Sequence, residues 1–280
     1  MAEVSRLRLA GEEMFARVPW RFPRTFGAAE VCLCAGGASI DFVRRHAAIV
    51  SELEAWRARL DQRIDVLDFG GANSPLSKFL RLYGLAKHYR VIVADVDATA
   101  IEAAQLRPPL EAAVVLHPDG TLPFADQSVD VSVSSDVFEH IPKPDRRRWA
   151  DELLRVTRLG QVHNVPCDGE DYASTATDAA FQAWHTELFG VPEQWSAEHI
   201  ANGVPTVDEL LDLFPGSQVR GIANAEYWLE TMKDEASRTS LPARVARSIR
   251  YVVRGSQNSA KSPFKACLLT VSVDPRGRAN

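Results

Sequence analysis

Short β-branched segments alternate with helical patterns along most of the chain, and this alternation limits the fold more than any other feature. The seven segments are IDVLDF, RVIVADV, AAVVLH, VDVSVSS, QVHNVP, VRGIANA and FKACLLTVSV. Strands that alternate with helices are joined by right-handed crossovers, so they form a mostly parallel sheet. The sequence therefore predicts an α/β fold with a mostly parallel seven-stranded sheet, helices on both faces and a ligand site beyond the carboxyl ends of the strands.

The chain is predicted to have two parts. Residues 1–62 form an irregular arm and then a helix, over about 42–60, whose apolar residues recur at helical spacing and are expected to lie against the sheet. The arm is expected to act as a lid or a packing segment. Residues 63–280 form the sheet domain, with a polar, tryptophan-containing insertion at about 168–216 that is expected to cover a substrate.

Charge and cysteine content argue against several classes of protein. With 37 acidic and 32 basic residues the formal net charge is -5, which argues against a nucleic-acid-binding protein. No apolar stretch reaches the roughly 20 residues of a membrane span, and no signal-peptide pattern opens the chain. The four cysteines lack the spacing of a zinc or dithiol site. We expect a cytoplasmic protein with reduced thiols, no metal and no membrane insertion.

The first functional motif is VLDFGGANSP, in which a buried strand ends at Asp68 and small residues open the turn into a helix. Such a turn can bring backbone close to a ligand, because Gly70, Gly71, Ala72 and Ser74 place little or no side chain in the way. The motif lies between a predicted strand and a predicted helix, which is the context that a ligand-binding glycine turn requires.

The second motif is VADVDATAIEAA, in which Asp95 ends a strand. A carboxylate there can accept hydrogen bonds from both hydroxyls of a ribose. Asp95 follows Gly70 by 25 residues, near the roughly 20 found in dinucleotide-binding folds. We include its neighbour Val96 in the predicted site, and we expect Asp97 to cap the next helix.

The third motif, HPDGTLPFADQSVDVSVSSDVFEHIP at positions 117–142, is the most specific. It resembles the pattern DGxxLPFxDxSFDxVxSxxVxEHI of class I S-adenosylmethionine (SAM)-dependent methyltransferases. The resemblance runs in order through all three motifs, over about residues 63–168. It implies a Rossmann-like methyltransferase fold, with SAM as cofactor and S-adenosylhomocysteine as product. An NAD-dependent oxidoreductase is disfavoured, because GGANSP lacks the dinucleotide fingerprint GxGxxG.

The resemblance also implies the parts of the cofactor site. The turn after the first strand would lie beneath the methionine part of SAM, and the carboxylate after the second strand would bind the ribose. The segment after the third strand would flank the adenine, and the end of the fourth would lie near the cofactor. The predicted residues are Asp68, Gly70, Gly71, Ala72, Ser74, Asp95, Val96, Asp119, Gly120, Ser135 and Asp136. Ala72 and Ser74 depart from the family pattern, which usually has glycine at both positions.

Histidines are the candidates for a general base, which methyl transfer needs only when the acceptor must lose a proton. The candidates are His140, His185 and His199, which all follow the cofactor motifs. His185, in the insertion, ranks first, and a structural hydrogen-bonding role is the alternative for each. His163 lies in an apparent buried strand, so we predict a neutral core histidine. A metal site around His163 is disfavoured by the spacing of its neighbours.

The predicted function is methyl transfer from SAM to a small molecule, with a hydroxyl oxygen of a sugar or secondary metabolite as acceptor. An amine acceptor is an alternative, as is a SAM-fold protein that binds a nucleoside or a partner without transferring methyl groups. A homodimer is left open. The basic segment at 238–265 is predicted to be an exposed helix with its apolar stripe on the core, and recognition of an acidic substrate is the alternative.

Overall fold

The computed structural model describes residues 39–60, 62–104, 106–117, 120–237, 240, 242–243, 246 and 261–272. The helices in these ranges are α1 (Ile40–Leu60), α2 (Pro75–Leu82), α3 (Ala98–Glu102), α4 (Lys143–Val156), α5 (Ser174–Phe189), α6 (Gln194–Asn202), α7 (Val207–Leu213) and α8 (Ala225–Ala236). The strands are β1 (Ile64–Phe69), β2 (Tyr89–Asp95), β3 (Leu110–Val115), β4 (Val129–Ser135), β5 (Thr157–Pro166), β6 (Asp168–Gly169), β7 (Tyr172–Ala173), β8 (Gln218–Asn224) and β9 (Phe264–Ser272).

The long strands form one sheet in the order β3-β2-β1-β4-β5-β9, with β8 paired to β9 at the far side. The first five strands run parallel to one another, and β9 is antiparallel to both β5 and β8. The order reverses direction between β1 and β4, so a crevice forms beyond their carboxyl ends. The short strands β6 and β7 extend the sheet beside β9.

Apolar layers cover both faces of the sheet. On one face, α1 and α2 bury Val43, Leu53 and Phe79 against alternate strand residues such as Val66 and Val93. On the other face, α4 and α7 bury a second layer, which includes Trp149, Leu153 and Leu210. Successive strand side chains point to opposite faces, so strands buried on both sides read as continuous apolar runs. This explains why the strand segments could be recognised from sequence.

The predicted fold class is confirmed: a mostly parallel sheet of seven long strands carries helices on both faces. All seven predicted strands are present, with small differences at their ends. The helix expected over about 42–60 begins at Ile40 and packs on the sheet. The insertion at 168–216 folds into β6, β7 and three helices. The division at residue 62 stays a prediction.

The expectation for the basic segment needs one correction. Lys265 belongs to β9 and is buried, so it is part of the sheet and not of an exposed helix. Arg238, Arg244, Arg247, Arg250 and Arg254 lie outside the described residues, as does the arm at 1–38. Among the described helices, none has both the length and the apolar character needed to cross a bilayer.

Candidate functional site

The β1–α2 loop, residues 70–74, turns sharply at the carboxyl end of β1. Gly70, Ala72 and Ser74 all have positive φ angles, of 67°, 45° and 52°. Left-handed backbone costs a residue with a side chain about 1–2 kcal/mol, so Ala72 and Ser74 adopt a conformation that suits glycine. Ser74 also caps α2, because its hydroxyl oxygen accepts from the Ser77 backbone N–H. The loop therefore keeps a glycine-type path without two of the glycines.

Asp68 is a buried carboxyl group directly below this loop. Its Oδ2 accepts a hydrogen bond of 3.0 Å from the Ser74 hydroxyl. A Cβ on Gly71 would lie 2.4 Å from the carboxyl carbon of Asp68, so only glycine leaves room for the carboxyl. Burial, with a smaller contribution from Asp95, raises the pKa of Asp68 to about 7. Within the described residues Asp68 forms no ion pair.

Asp95 ends β2 beside the same loop and organises its backbone. Its Oδ2 accepts from the Ala72 N–H at 2.8 Å, and its Oδ1 accepts from the Asp97 N–H at 2.9 Å. The side chain is only partly buried, and the next residue, Val96, leaves an apolar side chain 59% exposed. Asp97 caps α3 as expected, accepting from the backbone N–H groups of Thr99 and Ala100. A carboxylate oxygen has two lone pairs, so Asp95 can still accept from a ligand.

The segment expected to flank the adenine is only partly described. Asp119 lies outside the described residues. Gly120 packs against α4, where an added Cβ would lie 2.1 Å from Arg148 Nε. It lines an open depression of about 530 Å³ on the outer face of α4, together with Arg147 and Arg155. The adenine-flanking role of both residues therefore stays a prediction.

The carboxyl end of β4 meets the β1–α2 loop. A Cβ on Gly70 would lie 2.5 Å from the Val137 side chain, so the loop and the residues after β4 are in close contact. Ser135 ends β4 with a buried hydroxyl that has no hydrogen-bond partner in the described part of the chain. Asp136 adopts a positive φ of 53° and turns its carboxylate away to Arg45 of α1 and Asn164 of β5. Ser135 and Asp136 are thus close to the loop, but Asp136 is already paired.

Asp136 belongs to a charged cluster, most of whose members line a small cavity of about 30 Å³. We define the charged cluster as Asp41, Arg44, Arg45, Asp136, Asp178 and Lys265. Asp41 pairs with both arginines and accepts from the Trp228 indole N–H at 2.8 Å. Lys265 Nζ donates to Asp178 Oδ2 at 2.7 Å. These charges come from α1, the residue after β4, α5 and β9, which are distant in sequence.

Burial raises the pKa values of the carboxyl groups in the charged cluster, and nearby positive charges lower them. Burial raises the pKa of Asp136 even though Arg45 opposes the effect. For Asp41, burial acts in the same upward direction, but the charges of Arg45 and Arg44 outweigh it and hold its pKa below the usual value. Asp178 also keeps a lowered pKa, because His199 and Lys265 together outweigh its burial.

His140 and His199 meet beside this cluster, with their Nε2 atoms 3.3 Å apart. His140 lies in the turn after β4, and His199 lies on α6 in the insertion. Burial, followed by the proximity of His199, lowers the pKa of His140. Glu139 is fully buried next to them, and burial and the Asp136 charge raise its pKa well above the usual value. Suitable ligand atoms of these three residues lie within 4.8 Å of one another.

Arg146 of α4 fixes the relative position of these groups. Its fully buried guanidinium donates to the carbonyls of Phe138 and Ile141, on either side of Glu139 and His140. It also donates to the carbonyl of Gly203, at the end of α6, and pairs with Glu209 of α7. One side chain therefore joins the turn after β4 to the insertion that carries His199.

The other two histidines of interest lie elsewhere. His185 Nδ1 is 2.9 Å from the carbonyl of Val191, and its ring packs against Phe189, 4.6 Å between centroids. Its described contacts do not join it to the His140–His199 pair, and its role as a base stays a prediction. His163 is a core residue as predicted: it is buried between Ser134 and Gln161, and burial lowers its pKa to about 3.

Comparison with known proteins agrees with this geometry. Residues 67–163 match the profile of the family described as "Methyltransferase domain". The match covers β1 to β5 and includes the β1–α2 loop, Asp95 and the turn after β4. Residues 67–163 are thus similar to a methyltransferase domain.

The relatives with known sequences are similar to this chain over limited segments. The chain is 38% identical over 117 residues to an uncharacterized methyltransferase of Mycolicibacterium gilvum (strain PYR-GCK), covering 40% of this chain and 43% of that protein. It is 60% identical over 40 residues to an uncharacterized methyltransferase of Mycobacterium sp. (strain KMS), or 14% of this chain and 15% of that protein. The chain thus spans less than half the length of these relatives.

Among solved structures, the chain is similar to a putative methyltransferase from an antibiotic biosynthesis pathway of Anabaena variabilis. The sequences are 11% identical, the TM-score is 0.48, and the match covers 79% of this chain and 96% of that chain.

The residues at the carboxyl ends of β1 and β2 fit SAM as a cofactor. SAM carries an ammonium group and a ribose diol. Asp68 offers a buried carboxyl group that pairs with no cation in the described part of the chain. Asp95 offers a partly exposed carboxylate at the neighbouring strand tip, with the apolar surface of Val96 beside it. When bound, SAM supplies a methyl group already activated on a sulfonium.

Several residues beside the candidate site are not among those predicted from the sequence. Arg45, Asn164, Asp178, Lys265 and Glu139 were not selected, although all of them contribute polar groups next to the predicted site. The available signal was a polar residue in an otherwise apolar element, such as Asn164 and Lys265 in buried strands. That signal marks an unusual position but does not identify its partner.

Proposed function

We propose that the chain transfers a methyl group from SAM to a hydroxyl oxygen of a small polar molecule. The observation that carries the proposal is the contact between Gly70 and Val137, which brings the end of β4 against the cofactor loop. Through this contact, the β1–α2 loop, which would hold SAM, lies next to the charged cluster and the His140–His199 pair. Methyl transfer depends chiefly on such alignment of two reactants.

The acceptor is expected on the insertion side of this contact. Asp178 and His199 come from the insertion, and Asp41 and Arg45 come from α1, so two segments outside the matched family region enclose the site. Their side chains are charged or hydrogen-bonding and mostly buried. A site with fixed polar partners favours an acceptor that carries several hydroxyl groups, because buried polar groups left unpaired are costly.

An oxygen acceptor is favoured over an amine by the state of the imidazoles. Burial and His199 lower the pKa of His140, so its ring is neutral near neutral pH and can accept a proton. A hydroxyl acceptor must lose a proton to be methylated, whereas a neutral amine needs no strong base. The same neutral imidazole gives an ammonium group no charge partner.

Calorimetry with SAM tests the cofactor half of the proposal. We expect wild type to bind SAM and Asp95→Ala to bind at least about 100-fold more weakly, because two ribose hydrogen bonds to a charged group are lost. Asp97→Ala is the matched control: it removes a carboxylate two residues away, costs about 1 kcal/mol of helix capping, and leaves SAM binding within about threefold. Equal binding by wild type and Asp95→Ala would contradict the assignment.

Mass spectrometry of a panel of polyhydroxylated and amino-bearing small molecules, incubated with SAM and the full chain, tests the acceptor half. Methylation of a hydroxylated compound that lacks an amine is the expected result. Methylation confined to amines would overturn the oxygen assignment. SAM binding without turnover on any compound would instead favour a non-catalytic SAM-binding protein.

A further inference from the structure

We propose that Glu139, His140 and His199 form a binding site for a divalent transition-metal ion, with Zn²⁺, Mn²⁺ or Co²⁺ as the chemical class. The family match does not extend to His199. Metal binding by these residues does not depend on methyl transfer.

The first observation is the state of Glu139. Its side chain is fully buried, and neither carboxylate oxygen has a hydrogen-bond partner in another of the described residues. A buried carboxyl group without a partner is costly, because it has lost the water that solvated it. Its Oε1 lies 4.0 Å from His140 Nε2 and 3.9 Å from His199 Nε2. The carboxylate therefore faces the two imidazole nitrogens.

The second observation is the direction of the imidazole lone pairs. His199 Nδ1 lies 3.0 Å from Asp178 Oδ2, and an ionised carboxylate only accepts, so Nδ1 carries the proton. His140 Nδ1 lies 3.3 Å from Glu198 Oε1 but outside hydrogen-bond geometry, and in the Nδ1–H tautomer His140 turns its ring N–H toward that carboxylate. Both Nε2 atoms then present lone pairs to each other and to Glu139. Three such atoms that face one another in a buried space are stabilised by a cation or a shared proton between them.

The third observation is the size of the triangle that the three atoms form. Its sides are 3.3, 3.9 and 4.0 Å. The point equidistant from the three corners of such a triangle is about 2.2 Å from each, and zinc binds histidine nitrogen and carboxylate oxygen at about 2.0–2.2 Å. A cation fits between these atoms with little movement of the side chains.

The surroundings resemble the outer shell of protein metal sites. Histidine ligands usually donate their second N–H to a carboxylate, which orients the ring and raises its basicity. Asp178 does this for His199, and Glu198 is placed to do it for His140. Arg146 and the Asn202 side chain, which donates to the His140 carbonyl, hold the turn and α6 together. The ligand positions are therefore fixed by the fold and not by exposed, mobile side chains.

The donor set decides which ions fit. Two imidazoles and one carboxylate suit zinc, manganese, iron and cobalt, whereas magnesium and calcium prefer sites built from oxygen. Three protein ligands leave at least one position open for a further ligand. Resting on the proposed function, we assign that position to an acceptor oxygen, since a bound cation lowers the pKa of a coordinated hydroxyl and so takes over from His140 the task of aiding proton loss. The substrate class is then a diol or hydroxy acid that can bind through oxygen.

The test uses the full chain after treatment with a chelator. Co²⁺ is titrated into the protein while visible absorption is recorded, because cobalt bands report nitrogen and oxygen ligands directly. We expect one equivalent of Co²⁺ per chain, displaced by Zn²⁺. His199→Ala and Glu139→Gln should each weaken binding at least tenfold. His185→Ala, which removes a histidine held by Val191 and Phe189, is the matched control and should bind Co²⁺ like wild type.

Each variant is also tested for SAM binding, which reports whether it is folded and whether the proposed function holds. Glu139→Gln changes a side chain with no partner in another residue, so it keeps the site measurable even if His199→Ala unfolds the chain. Retained SAM binding with lost Co²⁺ binding supports the metal site. No cobalt spectrum in wild type, or the same affinity in Glu139→Gln and His185→Ala, would overturn it. Absence of SAM binding with intact Co²⁺ binding would overturn the methyltransferase proposal alone.

Discussion

The two halves of the candidate site are built in different ways. The cofactor half consists of the β1–α2 loop and the end of β2, where Asp95 accepts from Ala72 and Asp97 and the contacts stay within two adjacent strand tips. The acceptor half draws on α1, β4, α5, α6 and β9, where Arg45 reaches Asp136 and Lys265 reaches Asp178. The cofactor half is held mainly by backbone hydrogen bonds. The acceptor half is held mainly by buried charges.

This contrast indicates where each half is vulnerable. Backbone hydrogen bonds to a carboxylate survive many side-chain changes nearby, because the donors are present in every residue except proline. A buried ion pair, in contrast, becomes an uncompensated charge when one partner is removed. We therefore expect the acceptor half to depend on single side chains for stability, and the cofactor half to depend on them chiefly for binding.

The largest expected effect on stability is in the acceptor half. Lys265→Met leaves the buried Asp178 without its lysine, and we expect the free energy of unfolding to fall by about 3–5 kcal/mol. Lys261→Met is the matched control: Lys261 is exposed three residues before the start of β9, and its change should stay within about 0.5 kcal/mol. Chemical denaturation measures both. Similar effects for the two variants would show that the charged cluster is not needed for stability.

An intermediate effect is expected at Asp68, where stability and binding should change in opposite directions. Its folded pKa of about 7 lies above the usual value of 3.8, so the fold favours the protonated form and wild-type stability falls as pH rises from about 4 through 7. At pH 8, Asp68→Asn should be about 1–3 kcal/mol more stable than wild type. It should also bind SAM at least tenfold more weakly, since Asn offers an ammonium group no charge.

Denaturation at pH 5 and pH 8, with calorimetry at both values, checks the Asp68 prediction. Wild-type affinity for SAM should be lower at pH 5, where the carboxyl is protonated, and Asp68→Asn should lose this dependence. Asp97→Asn, an exposed helix cap replaced by an equally good one, should change neither property. A lower stability of Asp68→Asn at pH 8 would contradict the unpaired state of the carboxyl.

The smallest expected effect is at Ala72, and it probes the departure from the family's glycine pattern. Ala72→Gly relieves a left-handed backbone of φ 45° but makes the unfolded chain more flexible, so the free energy of unfolding should change by less than about 0.5 kcal/mol. Ala183→Gly, at an exposed position inside α5, lacks that relief and should cost about 1 kcal/mol. Thermal denaturation of both variants measures the two changes in stability. Equal costs would mean that Ala72 is not strained.

Sequence reasoning succeeded where a motif and its partner lie close in the chain or in adjacent strand tips. Asp68 and Asp95 could be selected because each ends an apolar strand next to small or polar turn residues. His140 and His199 were selected as separate candidates, but their contact at 3.3 Å was not foreseen. His185 ranks above both because it lies in the insertion that is expected to cover a substrate. The sequence does not show which neighbour its ring will face.

The sequence by itself determined the sheet, its helices on both faces and the cofactor loop, because strand and helix periodicity and turn chemistry are local properties. Only the tertiary structure decided that Glu139, His140 and His199 converge and that Arg45 and Lys265 neutralise buried carboxylates. Those contacts join residues 59 to 91 positions apart. Such pairing is set by how helices dock on the sheet, and no pattern within one segment records it.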